Sequence, residues 1–320
     1  MSSIQLDSAA VYAINGHVNE VFPATCGGIL LSTAAGVRED PEIIEVTESF
    51  ALPSSCIENG VLNLKSKETN AYIKFMVSRL AEVKADTNIA GWYISCSVSN
   101  IFDAQVFENM YAMQQANPES FVLVHDVALS KVTGTLGVRA FRLSDEFISV
   151  RKTGTSRITT EMLIKHNLNY TNLVVELFVC TFENDLVRQF MAKNAPVLAA
   201  GCLKVPDEEL LERHADAAMV TMDDLNYDQG NYNYYQRQLT REKQKIAQWK
   251  AKRAAENAER AEKKQDPLST EEYKTLFKLS EEPNRLESLL LSAQLEEQCI
   301  QVEELAGGTA STLIPAKFAI

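Results

Sequence analysis

Residues 90–114 read AGWYISCSVSNIFDAQVFENMYAMQ, and the fold is predicted outward from this stretch. Over its first six positions, Ala90, Trp92 and Ile94 alternate with Gly91, Tyr93 and Ser95. Aromatic and β-branched types dominate, which is typical of a strand with one buried face. Asp103 can then accept hydrogen bonds from the free N–H groups of a first helical turn. Phe107, Met110 and Gln114 recur at helical spacing and share one face. The stretch therefore predicts a strand, a turn and a helix.

Apolar segments of strand length alternate with amphipathic segments through the first 225 residues. The pattern predicts strands at 27–33, 43–52, 121–126, 132–147 and 172–180, and helices at 3–18, 67–85, 184–194 and 207–222. The first two strands form a hairpin, and the polar stretch 149–159 is predicted to be a loop. The apolar stripe of the helix at 67–85 consists of Ile73, Met76, Val77, Leu80 and Val83. Strands and helices that alternate around one mixed sheet indicate the α/β class.

The composition changes from Tyr232 onward. The chain is predicted to have two parts, a domain over residues 1–225 and a helical region over residues 226–320. From 232 to 264 the chain is rich in strong helix formers and contains neither Gly nor Pro. The first half of this helix carries apolar residues that predict docking, and the second half is predicted to project into solvent. A short turn of helix and a last helix at 284–305 follow, and the remaining tail is predicted to lack regular structure.

The last helix carries two apolar stripes, which is unusual at the end of a chain that offers little surface to cover them. We therefore expect this helix to be buried in a helical bundle shared with other chains, rather than on its own domain. The residues predicted to bind partners are Leu286, Leu289, Leu290, Leu291, Leu295 and Val302.

The overall net charge of −12 is distributed unevenly. Residues 237–264 hold ten Lys and Arg against four Glu, a net charge of +6, so the rest of the chain carries −18. An acidic body repels phosphate, which argues against a DNA-binding domain. The basic helix indicates a segment that binds a partner. RNA is one such partner, and a helix that is merely kept in solution by its charges is the alternative.

Composition predicts an intracellular, soluble protein. The chain has no apolar run of roughly 20 residues, the length that crosses a bilayer. Its first residues, MSSIQLDSAA, lack the basic and apolar segments of a signal peptide. The six Cys form no C-x-x-C pair and are predicted to be reduced, and the four His have no metal-ligand spacing. These features predict no cofactor and no membrane contact.

The segment GWYISC at 91–96 resembles a strand of the MPN domain, the fold of the JAMM metallo-isopeptidases. Active members of that family have Gly-Trp-Tyr-His-Ser-His-Pro there, followed by an Asp about ten residues later. Two His and an Asp leave the fourth position of a tetrahedral zinc open for water. A Glu on an earlier strand then serves as the base. The resemblance implies an α/β MPN domain with a mixed sheet flanked by helices.

The positions that match the zinc ligands hold other residues. Ile94 and Cys96 stand at the two His positions, Phe107 at the Asp position and Thr25 at the Glu position. Ile and Phe cannot coordinate zinc, and one Cys does not make a site. We refer to these four positions as the degenerate site. They predict an MPN domain that is not an enzyme, and an active zinc isopeptidase is the alternative.

Two further segments, 119–144 and 234–299, widen the resemblance. They read ESFVLVHDVALSKVTGTLGVRAFRLS and, within the second, YYQRQLTREKQKIAQWKAKRAAENAER and TLFKLSEEPNRLESLLLSAQLEEQC. In this order they resemble the eIF3h family, which supplies one MPN subunit of the eukaryotic translation initiation factor 3 complex. Non-catalytic MPN subunits of the proteasome lid or the signalosome are the alternative, because they share the fold and also end in helices.

The eIF3h resemblance implies a structural role in translation initiation in the cytoplasm. It implies a heterodimer with eIF3f, the other MPN subunit of the complex, through the helices at 71–83 and 106–114. It further implies insertion of the last helix among scaffold subunits. The assembly would act in recruiting the small ribosomal subunit and mRNA.

Overall fold

The computed structural model describes residues 3–34, 42–58, 60–133, 136–153, 157–181, 206–262, 269, 271–277 and 279–318. Nine strands lie within these ranges, and seven of them form one sheet that closes on itself in the order β1-β3-β2-β6-β7-β8-β9. Their bounds are β1 Ser3–Leu6, β2 Gly27–Ser32, β3 Ile43–Ala51, β6 Asn88–Ser95, β7 Phe121–His125, β8 Val138–Leu143 and β9 Val174–Thr181. The short strands β4 Ile57–Glu58 and β5 Val61–Leu62 form a separate hairpin.

The sheet mixes parallel and antiparallel pairs, so the predicted α/β class with a mixed sheet is confirmed. Strands β2 and β3 form the predicted antiparallel hairpin. Strand β6 pairs with β2 on one side and runs parallel to β7 on the other. Strand β1 closes the sheet, because it runs parallel to both β3 and β9.

Strand β6 is buried on both faces, and the expectation that it has one buried face is wrong. Trp92 and Ile94 belong to one hydrophobic cluster, whereas Tyr93 belongs to another. The second cluster is covered by α1 Ser8–Val21, and the first is covered by α3 Ala104–Ala116. A closed sheet with helices on it leaves no solvent face for its central strands, and local alternation does not reveal that closure.

The helices of the first part follow their sequence signals in most places. Helix α3 begins after Asp103, whose carboxylate accepts from the Gln105 N–H. Helix α2, Lys67–Glu82, begins after Ser66, whose hydroxyl accepts from the Glu68 N–H. Both starts agree with the prediction to within one residue. Asp103 and Ser66 each satisfy one of the N–H groups that a first helical turn leaves unpaired.

Three segments differ from the prediction. Residues 3–6 form β1 rather than the start of a helix, because the strand partners lie far away in sequence. The predicted strand at 132–147 is divided among helix α4 Val127–Thr133, strand β8 and helix α5 Asp145–Lys152. Helix α5, which extends into the predicted loop, starts where the Ser144 hydroxyl accepts from the Phe147 N–H. A helix α6, Thr160–His166, follows, and the predicted helix at 184–194 lies outside the described residues.

The second part of the chain consists of helices that pack back on the first. Helix α7, Pro206–Glu262, includes the predicted helix at 207–222 and continues through residues 225 and 226 without a break. Helix α8, Tyr273–Leu276, lies in a segment at 271–285 that runs back along α7. Arg253 lies in the half of α7 that was predicted to be solvated, but it is covered because it bonds Glu272 of this segment.

The last helix α9, Leu286–Phe318, extends beyond the predicted end at residue 305. Its continuation contains Gly307, Gly308 and Pro315, and the prediction of an unstructured tail is wrong. A helix that is already docked adds one hydrogen bond for each residue it gains, which offsets the poor propensity of single residues. The expectation that this chain offers too little surface for the last helix is also wrong, since Leu290 and Ala293 are buried in the core beneath the sheet.

None of the described helices combines the length and the apolar composition that crossing a bilayer requires. The cysteines that the structure describes are unpaired thiols: Cys26, Cys56, Cys96, Cys180 and Cys299.

Candidate functional site

Three of the four residues of the degenerate site line one cavity. Thr25, Ile94 and Cys96 border a space of about 390 Å³ at the end of β6, and Asp103 and Gln294 border it from α3 and α9. The strand end, the start of α3 and the last helix therefore meet at this point. The fourth position, Phe107, does not border the cavity.

Phe107 is part of the hydrophobic core. Its side chain is 2% exposed, and its ring lies edge-on to Phe147 of α5 with 5.4 Å between the ring centres. It also packs against Phe102, at 6.2 Å. A hydrocarbon ring packed in the core therefore stands at the position where the family resemblance expects a metal-binding carboxylate.

Two positions of the degenerate site, Ile94 and Phe107, offer no donor atom to a metal ion, because their side chains are hydrocarbon. Burial raises the pKa of the Cys96 thiol to about 12, with the nearby Asp126 as a second cause. Among the described residues, no group of three or more His, Cys, Asp and Glu could hold a metal ion.

A second cavity of about 330 Å³ lies on the other side of Cys96, between the strand ends and the start of α7. Asp126, which is 4% exposed, lines it and accepts from the Leu129 N–H at 2.9 Å. Burial raises the pKa of the Asp126 carboxyl, and His214 of α7 acts against that rise. Burial lowers the pKa of His214, although Asp126 acts to raise it. Asp126 and His214 therefore face the same cavity, one from the end of β7 and the other from α7.

The last helix sits on the loop that follows β6. The Ser97 hydroxyl donates to Gln301 Oε1 at 3.0 Å and lies 3.2 Å from the Ser99 hydroxyl. Ser97 stands where active members of the resembled family have Pro, which has no side-chain donor. Farther toward the start of α9, Leu290 and Ala293 join the core cluster that also contains Ile101.

A charged contact joins the same helix to the sheet. Arg139 of β8 bonds both oxygens of Glu176 on β9, at 2.7 and 2.9 Å, and also bonds Glu297 of α9. Burial raises the pKa of the Glu297 carboxyl, and Arg139 acts to lower it. The contact therefore holds the buried carboxylate of α9 against a cation on the sheet.

The six residues predicted to bind partners divide into two groups. Leu290 is buried, and Leu286 and Leu289 pack against the core of this same chain. Leu291, Leu295 and Val302 lie on another flank of α9 and are only half-buried. The second group is the one that this chain leaves partly uncovered.

Helix α2 leaves more apolar surface exposed than α3 does. Its one fully buried residue is Thr69, and its predicted stripe of Ile73, Met76, Val77 and Leu80 is only partly buried. Phe75 is 53% exposed, and Val83, predicted to belong to the stripe, is 73% exposed. In α3, by contrast, Val106, Phe107 and Met110 are buried in the chain's own core.

The sequence analysis missed the polar residues that seat the last helix. Gln294, Gln301, Glu297, Arg139 and Asp126 carry no short-range motif, and their partners lie far away in sequence. The spacing of 293, 297 and 301 does place one face of α9 toward the domain, but these residues include polar types that an apolar-stripe search discards.

Comparison with known proteins points to a single family. The family model described as the C-terminal region of eIF3h matches residues 131–318. The eIF3h subunit of eukaryotic translation initiation factor 3 from Yarrowia lipolytica is 38% identical over 96% of both chains. The same subunit from Aspergillus terreus and from Coccidioides immitis is 33% and 32% identical, over 99% of this chain and 95% of theirs. The chain belongs to the eIF3h family of eukaryotic translation initiation factor 3 subunits.

Proposed function

We propose that this chain is a non-catalytic subunit that acts in the cytoplasm by holding other subunits of initiation factor 3 in place. It pairs with the MPN subunit eIF3f through α2 and with scaffold subunits through α9. The resulting assembly takes part in recruiting the small ribosomal subunit and mRNA. The alternative of a proteasome-lid or signalosome subunit finds no support in relatives that are named as eIF3h.

The chemistry of the degenerate site supports the absence of catalysis. A zinc hydrolase needs several protein ligands and a base beside the metal-bound water. Here Ile94 and Phe107 supply hydrocarbon, one Cys does not make a zinc site, and Thr25 is a poor base. The cavity that Thr25, Ile94 and Cys96 border can accept a small molecule, but these three side chains do not supply the ligands of a catalytic metal.

The partly exposed flank of α9 is the observation that carries the proposed assembly role. Leu291, Leu295 and Val302 each keep part of their side chain accessible, whereas Leu290 and Ala293 of the same helix are buried in the core. Such a flank can pack against a further helix without α9 leaving its own chain. The part-exposed stripe of α2 with Phe75 provides a second, separate apolar surface. Two surfaces on different helices suit a subunit that joins neighbours.

The experiment is affinity purification of the tagged full-length chain from its own cells, with partners quantified by mass spectrometry. One variant carries Phe75→Asp and Val83→Asp in and next to α2, and another carries Leu291→Asp and Leu295→Asp in α9. The control carries Ile164→Asp and Tyr170→Asp, which are also exposed but lie elsewhere on the domain. Thermal unfolding of each purified chain confirms that it is folded.

We expect the α2 variant to lose eIF3f and keep the scaffold subunits, and the α9 variant to do the opposite. The control variant should keep both. Retention of eIF3f by the α2 variant would show that another surface forms the heterodimer. Zinc measured at one equivalent per chain in the purified protein would contradict the non-catalytic proposal, whatever the partners.

A further inference from the structure

The side of α7 that faces away from the rest of the chain carries a row of exposed polar and aromatic side chains, which we call the outer stripe. Its members recur at spacings of three and four residues, which places them on one helical face. From first to last they span about 27 Å, at 1.5 Å per residue. The outer stripe consists of Tyr234, Arg237, Arg241, Lys245, Gln248 and Lys252, all of which are exposed.

The opposite side of the same segment is occupied by the chain itself. Ile246 is buried, Arg253 bonds Glu272, and Lys250 lies 4.0 Å from the centre of the Tyr273 ring. These two cations are therefore engaged with the returning segment at 271–285. The cations of the outer stripe lie on the other side of the helix and form no ion pair with any carboxylate among the described residues.

The charge on the outer stripe is of one sign. Between residues 229 and 255 the one acidic residue is Glu242, and its carboxylate accepts from the Ser280 N–H on the docked side. Glu256, which follows Lys252 by one turn, lies 3.5 Å from Arg253, and Glu259 follows by a second turn. A helix that uses charge merely to stay in solution usually mixes both signs and pairs them at four-residue spacing. The outer stripe instead combines four cations, unpaired among the described residues, with one amide and one aromatic ring.

We propose that the outer stripe binds single-stranded RNA. The cations follow one another along the helix at intervals of about 5–10 Å, which suits a row of backbone phosphates. The Tyr234 ring, 69% exposed at one end of the row, is free to stack on a base, and the Gln248 amide can bond a sugar or phosphate oxygen. This activity goes beyond the assembly role and does not depend on it.

The acidic remainder of the chain does not prevent this contact. The carboxylates of α7 that precede the stripe end at Asp228, which itself lies near Arg285. Arg237, the first cation of the stripe, lies about 14 Å along the axis from Asp228. This is more than the Debye length of about 8 Å at physiological ionic strength, so repulsion from that region is largely screened.

The test uses the full-length chain and a fluorescein-labelled oligouridine of roughly twelve nucleotides, which spans a typical single-strand site. Binding is measured by fluorescence anisotropy at about 50 mM and about 200 mM KCl. The stripe variant carries Arg241→Gln, Lys245→Gln and Lys252→Gln. The matched control carries Lys67→Gln, Lys74→Gln and Lys165→Gln, three exposed lysines on the first part of the chain. Both variants change the net charge by the same amount.

We expect the stripe variant to bind at least about tenfold more weakly at the lower salt concentration, with a salt slope smaller by about two, since each single-strand phosphate contributes about 0.7. The control should bind like the wild type. Tyr234→Ala should weaken binding about fivefold or more, and Tyr234→Phe should keep it, because stacking needs the ring and not the hydroxyl. A variant with Arg241→Lys, Lys245→Arg and Lys252→Arg should also bind like the wild type.

Three results would overturn the proposal. The first is no binding by the wild type at the lower salt concentration, and the second is an equal loss in the control variant. The third is equal binding of an oligoglutamate peptide together with no effect of Tyr234→Ala, which would assign the stripe to an acidic protein. Circular dichroism of the stripe variant checks that the helix is intact, so that a loss of binding is not a loss of folding.

Discussion

Helix α3 and the last helix α9 both carry apolar side chains at helical spacing, yet the surfaces they bury differ in chemistry. Helix α3 buries Val106, Phe107 and Met110 against the sheet, and it buries two amides, Asn109 and Gln114, among them. Helix α9 begins in the same way, with Leu290 in the core, but farther along it buries polar side chains. Glu297, Gln298 and Gln301 are each less than a tenth exposed.

The difference lies in what each helix meets. Helix α3 lies mainly against hydrocarbon, and its two buried amides bond backbone groups, the Leu62 carbonyl and the Leu143 N–H. The second half of α9 instead meets side chains, the Ser97 hydroxyl and the Arg139 guanidinium. A buried polar group is tolerated only when the opposite surface offers it a partner. Apolar spacing therefore predicts the buried face of a helix where the receiving surface is apolar, and fails where that surface is polar.

The largest effect is expected at the degenerate position in α3. Phe107→Asp should lower the free energy of unfolding by at least about 4 kcal/mol, because it removes a packed ring and leaves a carboxylate without a partner in the core. Phe107→Leu, which keeps most of the apolar volume, should lower it by about 1–2 kcal/mol. Urea unfolding followed by tryptophan fluorescence measures both. Equal midpoints for Phe107→Asp and the wild type would show that this position still tolerates a metal-binding side chain.

The next largest loss of stability is expected at α9, and it should differ between the two flanks of that helix. Leu290→Ala should lower the free energy of unfolding of the isolated chain by about 3 kcal/mol, because it leaves a cavity in the core. Leu295→Ala, on the half-exposed flank, should lower it by about 1 kcal/mol. In the purified complex the order should reverse, with Leu295→Ala weakening association more. Equal effects of both substitutions on the isolated chain would contradict the assignment of one flank to partners.

A buried polar group in the sheet provides a smaller, pH-dependent effect. His125 is 1% exposed, and burial lowers the pKa of its imidazole to about 4. The unfolded chain therefore binds more protons than the folded chain between about pH 4 and pH 6.5, and stability is lost as the pH falls through that window. We expect the free energy of unfolding to decrease by about 2 kcal/mol from this group between about pH 7.5 and pH 5.

The control for this effect is His125→Gln, which keeps a polar side chain but cannot titrate. The carboxyls of Asp126 and Glu297 have pKa values raised by burial, so they act in the opposite direction as the pH falls. They are present in both proteins, and the difference between the two pH profiles isolates His125. Parallel profiles would show that His125 is already protonated, or solvated, in the folded protein.

Much of the fold was predictable because its signals are local. The Asp103 cap, the β2–β3 hairpin and the buried residues Phe107 and Met110 of α3 all follow from spacing within a few residues. Strand β1 was mistaken for a helix, because its parallel neighbours β3 and β9 lie about 40 and 175 residues away in the sequence. The residues close to β1 in the sequence give no sign of this pairing. Helix α5 was missed because its cap Ser144 directly follows a strand with no loop between them.

In the candidate site, too, only the features with local sequence signals could be predicted. The residues at the degenerate positions could be named from the sequence, and Thr25, Ile94 and Cys96 do meet at one cavity. Gln294 could not be named, because it reaches that cavity from a helix almost two hundred residues later. The last helix has one flank that is covered by the domain and one that is partly exposed. Which flank is covered depends on the surface that the helix packs against, and the sequence of the helix does not indicate that surface.

The smallest predicted effect concerns the polar seat of α9. Gln301 Oε1 accepts from Ser97, but Gln301 Nε2 is buried and has no hydrogen-bond partner among the described residues. An unpaired buried amide costs about 1–3 kcal/mol, which offsets the roughly 1 kcal/mol gained from its one hydrogen bond.

Gln301→Leu should therefore leave stability unchanged or raise it by about 1 kcal/mol, since the Ser97 hydroxyl keeps Ser99 as a partner. Ser97→Ala removes the bond but keeps the buried amide, so it should lower stability by about 1 kcal/mol, and hydrogen exchange over residues 297–305 reports both changes. Faster exchange in Gln301→Leu than in Ser97→Ala would show that polar contacts hold the second half of α9 in place. Helices α3 and α9 would then differ in the chemistry of their contacts and not in how strongly those contacts hold them.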